Sequence, residues 1–351
     1  MQIVQEGARR TRAAQLQVGV WLPVYGSWLR TTELPISSNV QACLALAQHA
    51  DALNYDFLYA SENLLNPIHG LSANLIDAWS LIAALAPMTE RVGLIGAIKP
   101  GFRSPLQAAR IIDTTASLAN RKVSLNIVCG WWEEEFDRAG VPWLDHSRRY
   151  DRADAFLDDL YALFEGSQMG VSRQHRPCLW VAGHSARAID MAARNGGCLF
   201  LNGMDDEALA RQVRKVKTAS GTNQTNVTVA INAHVIAAPT QSAANDRLES
   251  FVAKKDQTSI AYFRDVMAQS GAESWKGLSD LEMVDSNAGF AAGMIGDYDT
   301  LRSRLAALHD MGVDRILCQF DHPERDAALF MQEVVAPVRA QIERKDVLPA
   351  H

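Results

Sequence analysis

The chain has 351 residues, 48% of them hydrophobic and 21% charged, which is enough for one large α/β barrel or for two ordinary domains. Its net charge is -6, and no basic cluster is dense enough to indicate nucleic-acid binding. No run of about 18 apolar residues is present, so we expect no membrane span. The chain has five cysteines, an odd number, and none of them form a CxxC pair. This pattern favours reduced thiols, and hence a cytoplasmic protein, over a disulfide framework.

The first 15 residues contain a short basic stretch, RRTR, at positions 9–12. No apolar core follows it, as a targeting peptide would require. We therefore interpret residues 1–15 as an N-terminal arm and residues 16–345 as a single domain.

Short apolar runs alternate with helical patterns from one end of the chain to the other. Most of the first runs are continuously apolar, as in strands that are buried on both faces. Eight βα units in a chain of this length predict a TIM (β/α)8 barrel. A doubly wound sheet would also alternate, but no GxGxxG follows the first run. The predicted strands are Leu16–Leu22, Phe57–Ala60, Val92–Ile98, Val123–Val128, Cys178–Ala182, Cys198–Leu201, Val227–Ile236 and Arg315–Gln319.

A long polar region, about 239–293, interrupts this alternation before the last βα unit. It is too long for an ordinary βα loop, although Ile260–Met267 has a helical pattern. We interpret it as an insertion. It could form a lid over the barrel mouth or a helical decoration at the periphery.

In a TIM barrel the chemistry takes place at the carboxyl ends of the strands. Here those positions carry mainly aromatic and amide side chains, together with His184, His234 and His322. Such a lining suits a planar, conjugated ligand. The three histidines lie on separate strands without a metal-ligand spacing, so we expect no metal. His234 could also be a hydrogen-bonded core histidine, and His322 could cap the last helix.

The segment from Ala182 to Ser185 indicates a phosphate site. A strand ends at Gly183, and a helical pattern begins after Ser185. Free N–H groups at such a helix start bind phosphate, and the Ser185 hydroxyl would add a hydrogen bond. Arg148 and Arg149, from the preceding βα unit, could supply guanidinium contacts. The residues alone therefore predict a barrel that binds a flat, phosphorylated cofactor.

Three segments resemble the bacterial-luciferase-like flavin monooxygenases, in the group of alkanesulfonate, dimethyl sulfone and pyrimidine monooxygenases. The most specific is LNIVCGWWEEEFDRAGVPWLDHSRRY, at residues 125–150. The others are NAGFAAGMIGDYDTL at 287–301 and GVDRILCQFDHPERDAALF at 312–330. Of the group, the dimethyl sulfone enzymes are the most similar.

The resemblance implies a two-component, reduced-FMN-dependent monooxygenase. A separate NAD(P)H:FMN reductase would supply reduced FMN, and O2 would be the co-substrate. The expected substrate is a small sulfone or a related organosulfur compound, and the expected assembly is a homodimer or homotetramer. The alternatives are an oxygenase of a pyrimidine-like heterocycle or other non-sulfur compound, a relative that uses F420, and a flavin-binding protein without activity.

The resemblance also implies site residues. The FMN-contacting positions of the pyrimidine enzymes match Asn126, Glu135, Arg149, Tyr150 and Ser185, and we add the neighbouring Gly183 and His184. Histidines that line the active site of the sulfonate enzymes match the candidate catalytic residues His234 and His322. The expected substrate pocket consists of Trp21, Trp131, Asn202 and Phe320.

Four positions differ from the sulfonate enzymes. Those enzymes carry arginine, tryptophan, tyrosine and cysteine, and this chain has Asn232, Asn202, Phe320 and Leu75 at the corresponding positions. A sulfonate would therefore lose an expected cationic partner. Residues 165–177 are also shorter than in the family and lack its usual hairpin.

Overall fold

The computed structural model describes residues 16–347 except residues 36, 167–168 and 271–278. Eight parallel strands pair in order round a closed barrel, which confirms the predicted TIM barrel. The ring closes because the last strand pairs with both the first and the seventh. Its strands are β1 Gln17–Trp21, β2 Phe57–Ala60, β3 Gly93–Ile98, β4 Ser124–Ile127, β5 Cys178–Ala182, β6 Cys198–Leu201, β7 Thr228–Ala238 and β9 Arg315–Phe320, while the short strand β8, Ile295–Asp297, pairs only with β7.

The barrel strands are short and almost entirely buried, because the barrel interior covers one face and the helices cover the other. Register is parallel throughout, as shown by Gly19 beside Phe57 and Val20 beside Cys318. All carboxyl ends therefore meet at one mouth.

Helices cover the outside of the barrel, and several begin at a side-chain cap. Ser104 caps its helix, with Gln107 completing a capping box and Pro105 at the first helical position. The helices are α1 Val40–Ala52, α2 Ala78–Leu85, α3 Pro105–Ala119, α4 Glu133–Arg138, α5 His146–Glu165, α6 Ala186–Asn195, α7 Asp206–Asn223, α8 Gln241–Ala253, α9 Gln257–Ser270, α10 Asp280–Val284, α11 Tyr298–Asp310, α12 Pro323–Phe330 and α13 Ala336–Val347.

The region predicted as an insertion contains α8, α9 and α10, followed by the short 3-10 segment Gly289–Ala292. After it comes a three-residue strand that the sequence did not predict, β8 Ile295–Asp297, which pairs with the end of β7. Apolar side chains from this region pack with the loop after β1 in a second core cluster, which includes Leu29, Ile236, Phe251, Phe263 and Met283.

Two sequence interpretations fall partly or wholly outside the described residues. The N-terminal arm, residues 1–15, is one of them. Of the shortened segment 165–177, the described part includes the last residue of α5 and the 3-10 turn Arg173–His175. Within the described part of the chain, no helix has both the length and the apolar character needed to cross a membrane.

The end of β6 touches a strained turn of the inserted region. Asn287 and Ala288 have φ of 57° and 52°, in the left-handed region that non-glycine residues rarely adopt. A Cβ on Gly203 would lie 1.8 Å from the carbonyl oxygen of Ala288. Gly203 therefore permits a close backbone contact between the barrel and this turn.

We expect Gly203→Ala to lower the free energy of unfolding by about 1–3 kcal/mol, because the added methyl group overpacks a backbone contact. The matched control is Gly221→Ala, in helix α7, where a Cβ meets no atom within 4 Å. That substitution should be neutral or stabilising by up to about 1 kcal/mol. Denaturant unfolding of both variants checks this, and equal effects would contradict the proposed contact.

Candidate functional site

A cavity of about 610 Å³ opens at the carboxyl ends of the strands. Its wall combines loops that follow β1 to β6 with helix α9 and the turn after α10. The volume lies within the usual range for ligand and cofactor pockets.

On one side, the cavity wall is formed by the end of β5 and the start of α6. Gly183 has φ of 138°, and a Cβ there would lie 3.0 Å from the Tyr150 hydroxyl. Ser185 caps α6 by accepting the Ala188 N–H at 3.2 Å, and its hydroxyl donates to Tyr150 Oη at 3.1 Å. The ten-residue helix thus points its N-terminus at the cavity beside two hydroxyl groups.

Arg149 lies beside this helix start and is half-buried. One guanidinium nitrogen, Nη1, donates to the Leu144 carbonyl at 2.6 Å, and the guanidinium lies 4.1 Å from the centre of the Trp143 ring. Burial lowers the pKa of Arg149 from its usual value. These contacts fix one cation next to the Gly183–Ser185 turn, while Arg148 is exposed and does not line the cavity.

Aromatic rings from three strands line the deeper part of the cavity. The Trp21 ring centre lies 5.0 Å from that of Tyr59 and 5.7 Å from that of Phe200, both in edge-to-face contact. The Trp21 indole N–H donates to Ser61 Oγ at 3.1 Å. Asn126, buried behind this wall, donates through Nδ2 to Tyr59 Oη at 2.8 Å, and its Oδ1 has no partner among the described residues.

A buried ion pair braces the mouth beside these rings. Lys99, at the end of β3, donates to Glu135 from α4, and Glu135 also accepts the Leu64 N–H at 2.7 Å. Lys99 lines the cavity, whereas Glu135 lies behind it. Nearby, Glu62 accepts the Lys99 N–H at 2.7 Å and Arg103 Nε at 2.9 Å, while burial raises the pKa of Glu62. The charged groups here hold three loops together.

The opposite wall comes from the inserted region and the loop after β1. Phe263 and Met267 of α9 line the cavity together with Arg30, Ser286 and Asn287. Residues of the region predicted as an insertion therefore form part of the cavity wall.

The structure brings most of the predicted site residues to this cavity. Those that line it are Trp21, Trp131, Arg149, Tyr150, Gly183, His184, Ser185 and Asn202. Asn126 and Glu135 lie one layer behind, each bonded to a residue that lines it. Of the three consecutive glutamates, Glu133 is exposed and Glu134 pairs with Arg138 on the helix surface.

Three predicted residues lie elsewhere. His234 is fully buried, its Nε2 is hydrogen-bonded to Asp321, and the segment Gly289–Ala292 covers it, so that a Cβ on Gly289 would lie 2.9 Å from His234 Cβ. It has the environment of the core histidine that we gave as an alternative. His234 therefore does not line the cavity.

His322 and Phe320 are also away from the cavity. His322 is exposed at the N-cap of α12, where its side chain makes no capping hydrogen bond. The ring centre of Phe320 lies 5.9 Å from that of Phe330 in α12. Because alternate residues of a strand face opposite sides, Gln319 faces the barrel interior and Phe320 faces the helices.

The sequence interpretation missed several residues that line the cavity. Lys99 and Asn63 follow predicted strands, so their position at the mouth was recognisable, but neither was assigned a role. Arg30 and Phe263 gave no signal, because a charged residue in a loop and an aromatic residue on a helix are ordinary features. Their shared position depends on how the inserted helices fold back over the mouth.

Asp285 is a buried carboxyl group behind the inserted wall. Its Oδ2 accepts the Phe290 N–H at 2.8 Å, and Oδ1 has no partner among the described residues. Burial raises the pKa of Asp285 to about 6, against opposing effects of His234, the Phe290 and Ser286 N–H groups and Arg30. Because this folded-state pKa exceeds the unfolded value of 3.8, the folded state loses stability as pH rises from about 4 to about 6.

We expect Asp285→Asn to gain stability relative to the unmodified protein between about pH 4 and pH 7, by up to about 3 kcal/mol. The amide cannot ionise, yet its oxygen can still accept the Phe290 N–H. Denaturant unfolding at both pH values checks this, with the exposed Asp246→Asn as the control. A stability difference that does not change with pH would contradict a raised pKa.

Comparison with known proteins gives a family. The model of the family described as luciferase-like monooxygenase matches residues 16–315. An FMNH(2)-dependent dimethylsulfone monooxygenase of Pseudomonas fluorescens (strain Pf0-1) is 30% identical over 282 residues, which cover 75% of this chain and 77% of that protein. The enzyme of the same name from Pseudomonas putida is 30% identical over 289 residues, which cover 76% of this chain and 79% of that protein.

Solved structures with this fold include a long-chain alkane monooxygenase, at a TM-score of 0.77 and 18% identity, covering 93% of this chain and 92% of that one. A riboflavin lyase with modified FMN and substrate riboflavin has a TM-score of 0.76 and 18% identity, with the same shares covered. These likenesses bear on the fold. The family match and the two relatives confirm the resemblance seen in the sequence: the chain belongs to the luciferase-like monooxygenase family.

Proposed function

We propose that the chain is the oxygenase component of a two-component system that oxidises a small organosulfur compound, a sulfone or a related compound. The enzyme is a flavin-dependent monooxygenase, with reduced FMN as cofactor and O2 as co-substrate. One observation supports the proposal most: the N-terminus of α6, the Arg149 guanidinium and an aromatic wall all line the same cavity.

The residues on the β5 side fit a phosphate group. The absent side chain at Gly183 leaves room for a ligand to approach the backbone, and the N-terminus of α6 offers free N–H groups. Ser185 and Tyr150 add hydroxyls, and Arg149 adds a charge-assisted donor. We therefore assign the FMN phosphate to this turn.

The remaining part of the cavity fits a flat ring system with polar edges. Trp21, Tyr59 and Phe200 supply apolar surface, while Asn63 has a buried Nδ2 with no partner among the described residues. Tyr25 Oη donates to Asn63 Oδ1 at 3.0 Å. Asn63 is therefore held through its Oδ1, and the Nδ2 hydrogens remain available to a ligand.

Bound reduced FMN would supply the electrons that activate O2. The chain's own contribution is to orient the cofactor and to exclude water through its aromatic and buried residues. Burial raises the pKa of Tyr25 and of Tyr59 well above the usual value, so both hydroxyls keep their protons at neutral pH. The Tyr59 hydroxyl accepts from Asn126 and can donate to a ligand, whereas the Tyr25 hydroxyl already donates to Asn63 Oδ1.

The reduced flavin would come from a separate NAD(P)H:FMN reductase, in keeping with the FMNH(2)-dependence in the names of the two relatives. The sulfone substrate rests on the same names. We also propose a homodimer or homotetramer, on the analogy with the family alone.

A direct experiment mixes the purified protein with photoreduced FMN, admits O2 and follows the return of the oxidised-flavin absorbance. We expect the bound flavin to reoxidise more slowly than free flavin, because the cavity excludes water. Reoxidation at the rate of free FMN would contradict the proposed oxygenase function. Sulfite, sulfinate and aldehyde products from a panel of organosulfur compounds would then identify the substrate class.

Arg149→Ala should weaken binding of reduced FMN by about 1.5–3 kcal/mol, the usual value of a hydrogen bond to a charged group. Anaerobic titration of flavin fluorescence measures this effect. The matched control is Arg148→Ala, because Arg148 is exposed on the same helix and does not line the cavity. Unchanged affinity in the Arg149 variant would remove it from the phosphate site.

A further inference from the structure

A second cavity, of about 700 Å³, opens at the end of the barrel opposite the mouth. Because all barrel strands are parallel, their amino ends meet there, far from the proposed FMN site. We call it the amino-end cavity, and its size is within the usual range for ligand pockets. Its wall contains the first residues of seven of the eight barrel strands, among them Gln17, Phe57, Cys178 and Arg315.

Cations outnumber carboxylates in the wall of the amino-end cavity. The cations are Lys122, Arg173, Arg176 and Arg315, and the carboxylates are Asp56 and Glu165. Among the described residues, none of the four cations forms an ion pair with a carboxylate, whereas Asp56 is already paired with Arg339. Even with Glu165 included, the wall therefore carries an excess of positive charge, which attracts an anion.

Arg315 is held in a fixed position at the start of β9. Its Nε donates to Gln17 Oε1 at 2.6 Å, and its Nη1 donates to Thr228 Oγ1 at 2.8 Å. Both partners are neutral, and Nη2 makes no hydrogen bond with a described residue. The carboxylate of the preceding Asp314 accepts the Val229 N–H at 2.8 Å and does not line the cavity. A positioned guanidinium with an unused donor suits a phosphate oxygen.

Aromatic rings lie beside two of these arginines. The Arg315 guanidinium lies 5.1 Å from the centre of the Trp180 ring, and the Arg176 guanidinium lies 4.0 Å from the centre of the Tyr161 ring. Phe57 also lines the cavity, with its ring centre 5.2 Å from that of Trp180. Contact with a ring face positions a guanidinium and leaves its edge able to donate. The rings also offer apolar surface to a flat ligand.

We propose that the amino-end cavity is a second ligand site, which binds a flat ring that carries a phosphate group, as in a nucleoside monophosphate. Arg176 and Arg315 bind the phosphate, and Trp180, Phe57 and Tyr161 pack against the ring. The N-terminal arm does not supply the anion, because residues 1–15 contain three arginines and one glutamate. The site lies on the face opposite the mouth, so this inference does not rest on the proposed function.

The first test compares AMP, adenosine and inorganic phosphate, which carry both groups, only the ring and only the phosphate. Isothermal titration calorimetry of the purified protein gives the three dissociation constants. We expect AMP to bind about 10-fold or more tightly than either part, because the charged contacts and the ring contacts act together. AMP that binds no more tightly than adenosine would overturn the proposal.

Cys178 reports where AMP binds. It lines the amino-end cavity and is the exposed one of five cysteines, since the other four are buried. Alkylation by iodoacetamide, followed by mass spectrometry, should therefore modify Cys178 first. Saturating AMP should slow this reaction about 10-fold or more, because it blocks access to the thiol. An alkylation rate that bound AMP leaves unchanged would place the nucleotide elsewhere and overturn the proposal.

Variants assign the phosphate contact to the two arginines. Arg315→Gln and Arg176→Gln should each weaken AMP about 10-fold and leave adenosine within about 2-fold. The matched control is Arg211→Gln, because Arg211 is exposed on α7 and pairs with Glu207 away from the cavity. If Arg315→Gln does not fold, Arg176→Gln decides the question, since Arg176 is exposed. Unchanged AMP affinity in the folded variants would contradict the assignment.

A variant of the mouth separates this inference from the proposed function. FMN also combines a flat ring with a phosphate, so AMP could in principle enter the mouth instead. Arg149→Ala should bind AMP within about 2-fold of the unmodified protein, because Arg149 does not line the amino-end cavity. Loss of AMP binding in that variant would overturn the second site and leave the proposed FMN site intact.

Discussion

The pairing of β9 with both β7 and β1 is the constraint on which the site depends. It closes the parallel sheet, and closure brings the carboxyl ends of all eight barrel strands to one mouth. Residues separated by more than 100 positions, such as Trp21 and Ser185, then line the same cavity. Without closure, the cationic helix start after β5 and the aromatic residues after β1 would not face one ligand.

The inserted region converts this open mouth into a walled cavity. Its helices pack on the loop after β1 through a second apolar cluster, and Arg30 ties that loop to the carbonyls at the end of α10. Phe263 thus serves two purposes, as a stacking partner of Arg30 and as part of the cavity wall. The same contacts therefore stabilise the wall and shape the cavity.

Strands and helix starts could be predicted from the sequence, because periodicity and capping are local properties. The runs Phe57–Ala60, Cys178–Ala182 and Cys198–Leu201 coincide with observed strands, and Ser185 begins a helix as expected. The orientation of individual side chains could not be predicted so reliably. His234 and Phe320 stand at suitable chain positions, but one is covered by Gly289–Ala292 and the other faces the helix layer. Those outcomes depend on long-range packing, which one sequence does not record.

The central claim is that the turn at Gly183–Ser185 and Arg149 together hold the phosphate of FMN. Riboflavin shares the ring system of FMN and lacks only that phosphate, so comparing the two ligands isolates this contact. Fluorescence titration of the unmodified protein should show that FMN binds at least about 10-fold more tightly than riboflavin. Equal affinities for the two flavins would contradict the account.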